Sequence, residues 1–243
     1  MESLKGIISD IRVFLYGGIL TLPLSIAGTL SILGLFTANY AILFFLVGFL
    51  ILTPLVASII NYTLDAIFAN KSFNPFKAKT SDICTLVIPY VTLGGVNSSQ
   101  SIEYFVASSS WVAMISFFIG YIFTNALQLY NRKSDDITIN VTSSSASDID
   151  SKVMTRKSQA IIAMISIIVF GLIVLGFRYY TGCESITGMI LTTILFVFAG
   201  NGWYSVLSKV GQDRLSDLFG IVNRLLSPSA INNSPIACVP VAK

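Results

Sequence analysis

The side chains that most often carry enzyme chemistry are missing or badly placed in this chain. Its 243 residues include no histidine. That removes the commonest general base, the usual transition-metal ligand and any Ser-His or Cys-His nucleophile pair. Three cysteines, Cys84, Cys183 and Cys238, are scattered with no C-x-x-C spacing, and read as isolated thiols rather than a disulfide framework or zinc site. Asp135, Asp136, Asp148 and Asp150 gather in a Ser-rich hydrophilic stretch, where a solvated loop is a simpler reading than a weak cation site. Glu103 and Arg178 sit at the edges of apolar runs, as ordinary flanking charges do. No dinucleotide, Walker, nucleophile-elbow or zincin motif is present. Thr92-Leu93-Gly94-Gly95 departs from the T-V-G-Y-G pattern of a potassium filter. The N-x-[ST] sequons at Asn61, Asn70, Asn97, Asn140 and Asn232 fit chance in an Asn/Ser-rich chain. The expectation is a chain that is not an enzyme, with no catalytic residue, no cofactor and no metal.

The elements that would position any site are apolar. The chain is 54% hydrophobic and 11% charged, against about 25% charged for a soluble domain. Its net charge of +3 is too small for a nucleic-acid binder. Val13–Leu64 carries no Asp, Glu, Lys or Arg. It divides at Thr37-Ala38-Asn39 into two apolar runs long enough to span a bilayer as a helical hairpin. The first run is too long for a signal-peptide core, so it reads as an uncleaved anchor.

The fold class expected is all-α, a polytopic transmembrane helix bundle over residues 1–207. Five clear spans fall at about 14–36, 40–60, 105–129, 160–177 and 186–207, with a short apolar segment at 83–96 and a polar loop at 131–159. These five runs hold no acid or base, which weighs against pumps, proton-coupled transporters and voltage sensors. Pro23 and the Thr53-Pro54 step lie inside the first two spans and should kink them. Gly17, Thr21, Ser25 and Thr29 fall four apart, a small-residue stripe suited to helix packing in lipid. Tyr179, Tyr180, Trp203 and Tyr204 match an interfacial aromatic belt. Ile137–Thr142 alternates apolar and polar like a short strand.

Basic residues test whether Ile83–Val96 crosses. Without it, five spans divide the Lys and Arg residues 6 to 9; with it, six spans divide them 14 to 1, Arg178 standing alone. The charge bias favours six crossings, with both termini cytosolic. Length opposes them, since 14 helical residues cover only about 21 Å of a core of about 30 Å.

Residues 208–243 change character. Leu215, Leu218, Phe219, Val222, Leu225 and Leu226 recur at helical spacing, so Asp213–Leu226 reads as an amphipathic helix for a membrane or a partner. Pro228, Pro235 and Pro240 then require an extended tail. The expected partner-binding residues are Leu215, Leu218, Phe219, Val222, Leu225, Pro235 and Pro240.

Several phrases occur together: Gly34-Leu35-Phe36-Thr37-Ala38-Asn39-Tyr40-Ala41 running into Phe44–Pro54, Trp111 to Tyr121 with Asn125-Ala126, Ser216-Asp217-Leu218-Phe219-Gly220, and Asn233-Ser234-Pro235-Ile236-Ala237-Cys238-Val239-Pro240. In these the chain resembles uncharacterised multi-pass membrane proteins of large icosahedral DNA viruses of algae and protists. The resemblance implies a structural component of a virion inner membrane derived from host endomembrane. Its partners would be the lipid bilayer and other virion or membrane proteins, such as minor or major capsid proteins. The competing expectation is a channel or transporter for ions or small uncharged solutes, resting on Pro23, Pro54 and Ile83–Val96.

Overall fold

The structure, a computed structural model, describes residues 17–68, 77–78, 104–105, 109–131, 146–180, 184–211 and 213–218. Helix α1 is Leu22–Phe36 and α2 is Tyr40–Phe68; α3 is Ser110–Asn131, α4 Ala146–Tyr180, α5 Ile186–Gly211, and α6 the single turn Asp213–Ser216. Four of these, α2 to α5, are long and apolar enough to cross a membrane, while α1 is a shorter apolar helix. Residues 17–20 are also helical and lead into α1 through Thr21. Pro23 sits in the first turn of α1, directly after the break at Thr21 that separates this helix from the helical residues 17–20, so the helical line is interrupted where the proline is expected to disturb it.

The α1–α2 connection is a Schellman turn. Asn39 N–H donates to Gly34 O (3.0 Å) and Ala38 N–H to Leu35 O (3.3 Å), with Ala38 at φ 47°. The buried Asn39 then caps α2 by accepting from Ala41 N–H at 3.0 Å. Within α2 the Pro54 problem is solved one turn earlier. Gly48–Leu52 widens into a π-turn, and both the Thr53 N–H and its Oγ1 (2.9 Å) donate to Gly48 O.

Helix α3 is the axis of the bundle: 61% of its apolar stretch lies inside the protein, against 22% for that of α4. Close contacts set each neighbour's direction. Phe45 of α2 packs on Tyr121 and Gly48 on Phe117, so α2 is antiparallel to α3. Phe170 of α4 packs on Phe118 and Arg178 on Trp111, again antiparallel. Gly120 abuts Val197 and Tyr121 packs on Tyr204, so α5 runs parallel to α3. Trp111 reaches Leu20 at the start of α1, which also runs parallel. At the α3–α5 crossing the backbones touch: a Cβ on Gly120 would lie 2.8 Å from Val197 Cα, and one on Gly200 2.8 Å from Tyr121 N. Only glycine permits that approach.

The chain between α2 and α3 is pinned at its flanks. Lys77–Ala78 pairs antiparallel with Tyr104–Phe105, in the register Lys77 with Phe105. Six crossings would require the chain to leave one membrane face and arrive on the other. Paired strands lie about 5 Å apart, whereas a crossing covers about 30 Å, so the pairing is incompatible with one passage between them. Ile83–Val96 itself lies outside the described residues, as do Ile137–Thr142 and the last 25 residues, 219–243.

Element bounds also move. The second helix runs eight residues beyond 60, to Phe68, and the fourth begins at Ala146 rather than 160, converting part of the expected polar loop into helix.

Candidate functional site: two polar clasps in an apolar bundle

Among the described residues no group of three or more His, Cys, Asp or Glu could hold a metal. Several buried polar side chains instead form two clasps, one at the start of α3 and one on its second half.

The first closes the end where α3 begins. Arg178, in the last turn of α4, and Glu184, just before α5, are 4% and 8% exposed. The guanidinium donates to Glu184 Oε1 through Nη2 (3.2 Å) and Nε (3.3 Å). Its Cζ lies 5.1 Å from the centre of the Trp111 ring, a cation–π arrangement. Trp111, itself 2% exposed, donates its indole N–H to Leu20 O at 3.0 Å. One cluster therefore ties the starts of α1, α3 and α5 to the end of α4. Burial raises the Glu184 carboxyl above the ordinary carboxylate range; the attraction of Arg178 and hydrogen bonds from Ser109 and Arg178 oppose the shift without cancelling it. Arg178 at the end of α4 also meets the negative pole of that helix.

The second clasp holds the chain after α5 against the half of α3 that leads to the other end, at Tyr121 and Asn125. Tyr121 Oη donates to Ser216 O at 2.9 Å. The Asn125 amide, oriented by the groups it faces, donates to Asp217 Oδ1 (3.2 Å) and accepts from Leu218 N–H (2.9 Å). Leu218 is buried in the same core cluster as Phe45, Tyr121 and Tyr204. Lys157 Nζ, near the start of the apolar part of α4, stands 5.9 Å from the Tyr130 ring centre at this end.

These placements revise several expectations. Leu218, expected to face a partner, is in this chain's own core, and Leu215 is half-buried beside it. Within the described residues the helix there spans Asp213–Ser216 and stops short of Asp217 and Leu218, where Asn125 takes the backbone N–H of Leu218. Phe219, Val222, Leu225, Pro235 and Pro240 lie outside the described residues. Gly17, Thr21, Ser25 and Thr29 face outward, and the hydroxyls of Thr21 and Thr29 bond back to Gly17 O (3.0 Å) and Ser25 O (2.7 Å). The small residues at the backbone-to-backbone crossing among the described residues are Gly120 and Gly200. Of the aromatic belt, Tyr179 and Tyr180 are exposed as expected; Tyr204 is buried, and Trp203 turns its N–H across to Phe44 O at 3.1 Å.

Two signals in the sequence could have disclosed the clasps. Arg178 and Glu184 are opposite charges six residues apart across a tight loop. Tyr121 and Asn125 are polar residues four apart, on one face of a largely apolar helix.

Chemically the arrangement fastens helix ends. Neither clasp places a nucleophile beside a base, and the outward surface between them is built from Ile51, Leu55, Ile165, Leu172, Ile173, Phe198 and similar side chains. No family model matches the chain, and neither does any curated protein or solved structure.

Proposed function

We propose that this chain is a structural integral membrane protein that anchors other proteins to a bilayer. The observation that carries the reading is the inversion of polarity on the long helices. On α4 the exposed side chains Ile161, Ile162, Ile165, Ile168, Leu172 and Ile173 face outward, while Arg178 is turned inward and paired. Lipid favours that arrangement and water opposes it.

The bundle would cross five times. The helical residues 17–36 would extend about 30 Å, enough for α1 to join α2 to α5. An odd number of crossings puts the termini on opposite faces. The face shared by the α3–α4 connection and the C-terminal tail then carries nine Lys and Arg residues against six. One of those six, Arg178, is already matched by Glu184. Positive charge favours the cytosolic face, so the connection and the tail would be cytosolic. The resemblance to membrane proteins of large DNA viruses suggests the setting: a virion inner membrane whose outward face meets capsid proteins.

Deleting Asn223–Lys243 tests the tether while leaving both clasps intact. The truncated protein should insert and fold normally yet fail to enter assembled particles. Normal incorporation of the truncated chain would overturn the tether.

A further inference from the structure

Away from its end turns, the outer surface of α5 is broken by a carboxamide. Asn201 is exposed. It accepts from Ser205 Oγ at 2.9 Å through its backbone oxygen and at 3.4 Å through Oδ1. Among the described residues its amide nitrogen finds no acceptor. At roughly 1.5 Å per residue, Asn201 lies about 12 Å along the axis from Lys209 and about 25 Å from Glu184. A hydrocarbon core of about 30 Å centred between those two charges puts the amide about 8 Å below the nearer boundary. An amide donor left bare at that depth is unfavourable, and such groups are commonly satisfied by another helix.

The surroundings suit a helix of the same kind. Ile194, Phe198, Gly202 and Val206 form a row four residues apart beside Asn201, and the three larger side chains are 51%, 69% and 51% exposed. A Cβ on Gly202 would meet nothing within 4 Å, so a second backbone has room to approach there. A carboxamide both donates and accepts, so across a two-fold axis two of them satisfy each other.

We propose that two copies of this chain associate in the bilayer through this face of α5, with Asn201 hydrogen-bonded to Asn201 of the second copy. The inference rests on the reading that α5 crosses the membrane. It adds a partner that reading does not require.

The test uses the full-length protein in phosphatidylcholine vesicles, with dimer fraction read by single-molecule photobleaching as the protein is diluted in lipid. Wild type should dimerise. Asn201→Leu should weaken association about tenfold or more, from the loss of two interhelical hydrogen bonds. Asn201→Gln should recover part of the affinity. In a background with Cys84, Cys183 and Cys238 changed to Ser, Gly202→Cys should form disulfide-linked dimers under copper–phenanthroline and air. Leu172→Cys, on the outer face of α4, should not. Wild-type protein that stays monomeric at every dilution, or Asn201→Leu that dimerises like wild type, would overturn the proposal. Equal cross-linking at both cysteines would do the same. A water-soluble maleimide separates the two readings: a monomer with a shielded Gly202→Cys refutes only the dimer, whereas ready labelling of that cysteine refutes the crossing itself.

Discussion

Gly200→Ala should loosen the bundle at its centre. The added methyl carbon would stand 2.8 Å from Tyr121 N and against Phe117 O, both backbone atoms of α3. Ordinary contact between such atoms is about 3.5 Å, so the contact with Tyr121 N alone requires the helices to part by about 0.7 Å, and the closer one with Phe117 O by more. No rotamer change relieves the clash, because the obstacle is main chain. Overpacking of this kind costs about 1–3 kcal/mol. Alanine returns up to about 1 kcal/mol through its higher helix propensity. The net expectation is a loss of about 1–2 kcal/mol, and Gly120→Ala, which meets Val197 Cα at 2.8 Å, should behave alike. Gly28→Ala and Gly176→Ala are the controls: a Cβ at either position meets nothing within 4 Å, so neither should be destabilised. Reversible unfolding in mixed micelles by SDS titration, followed by far-ultraviolet circular dichroism, measures all four. Gly200→Ala as stable as the Gly28 control would refute the close crossing of α3 and α5.

Other expectations follow from single contacts. Glu184 has a raised folded value, so folding takes up a proton there; stability from this group is fullest in acid and declines as pH rises through the shifted range. Glu184→Gln, neutral throughout, should remove that slope, and parallel unfolding profiles for wild type and variant would count against a carboxyl raised by burial. Ala38→Gly relieves a left-handed alanine at φ 47° and should stabilise the α1–α2 turn by about 1 kcal/mol; a destabilised variant would contradict the Schellman geometry. Leu218→Ala should cost about 2 kcal/mol in purified protein with no partner present, since the side chain fills this chain's own core. An unchanged midpoint there would return Leu218 to the surface.

The apolar runs were legible because lipid-scale helices need only length and absence of charge, and the helices over 40–60 and 186–207 lie within the observed α2 and α5. Their ends were less so. Asn61-Tyr62-Thr63 and Asp65 lower hydropathy without breaking a helix, so α2 continues to Phe68. Asp148, Asp150, Lys152 and Arg156 likewise hid the first turns of α4. Hydropathy measures transfer to lipid, and a helix that continues into water escapes it. Pro54 signalled a disturbance in the right place, but its form, a π-turn closed by Thr53, depends on backbone geometry that composition does not encode. The stripe at Gly17, Thr21, Ser25 and Thr29 is a regular repeat and therefore visible in the sequence. The observed crossing uses one glycine on each helix, a pattern with no repeat to detect. The charge count points the other way. Discounting the paired Arg178 leaves its bias toward six crossings untouched; what opposes that count is the pairing of Lys77–Ala78 with Tyr104–Phe105, which holds the two ends of the intervening segment side by side.

Sidedness of the native cysteines bears on the bundle most directly. In sealed vesicles of uniform orientation, variants retaining only Cys183, in the α4–α5 turn, or only Cys238, in the tail, are treated with an impermeant maleimide. A third variant carries only Ala78→Cys. Cys183 and the cysteine at 78 should label from one face and Cys238 from the other. Labelling of Cys183 and Cys238 from the same face would mean that α5 does not cross, and labelling of position 78 opposite Cys183 would break the five-crossing bundle.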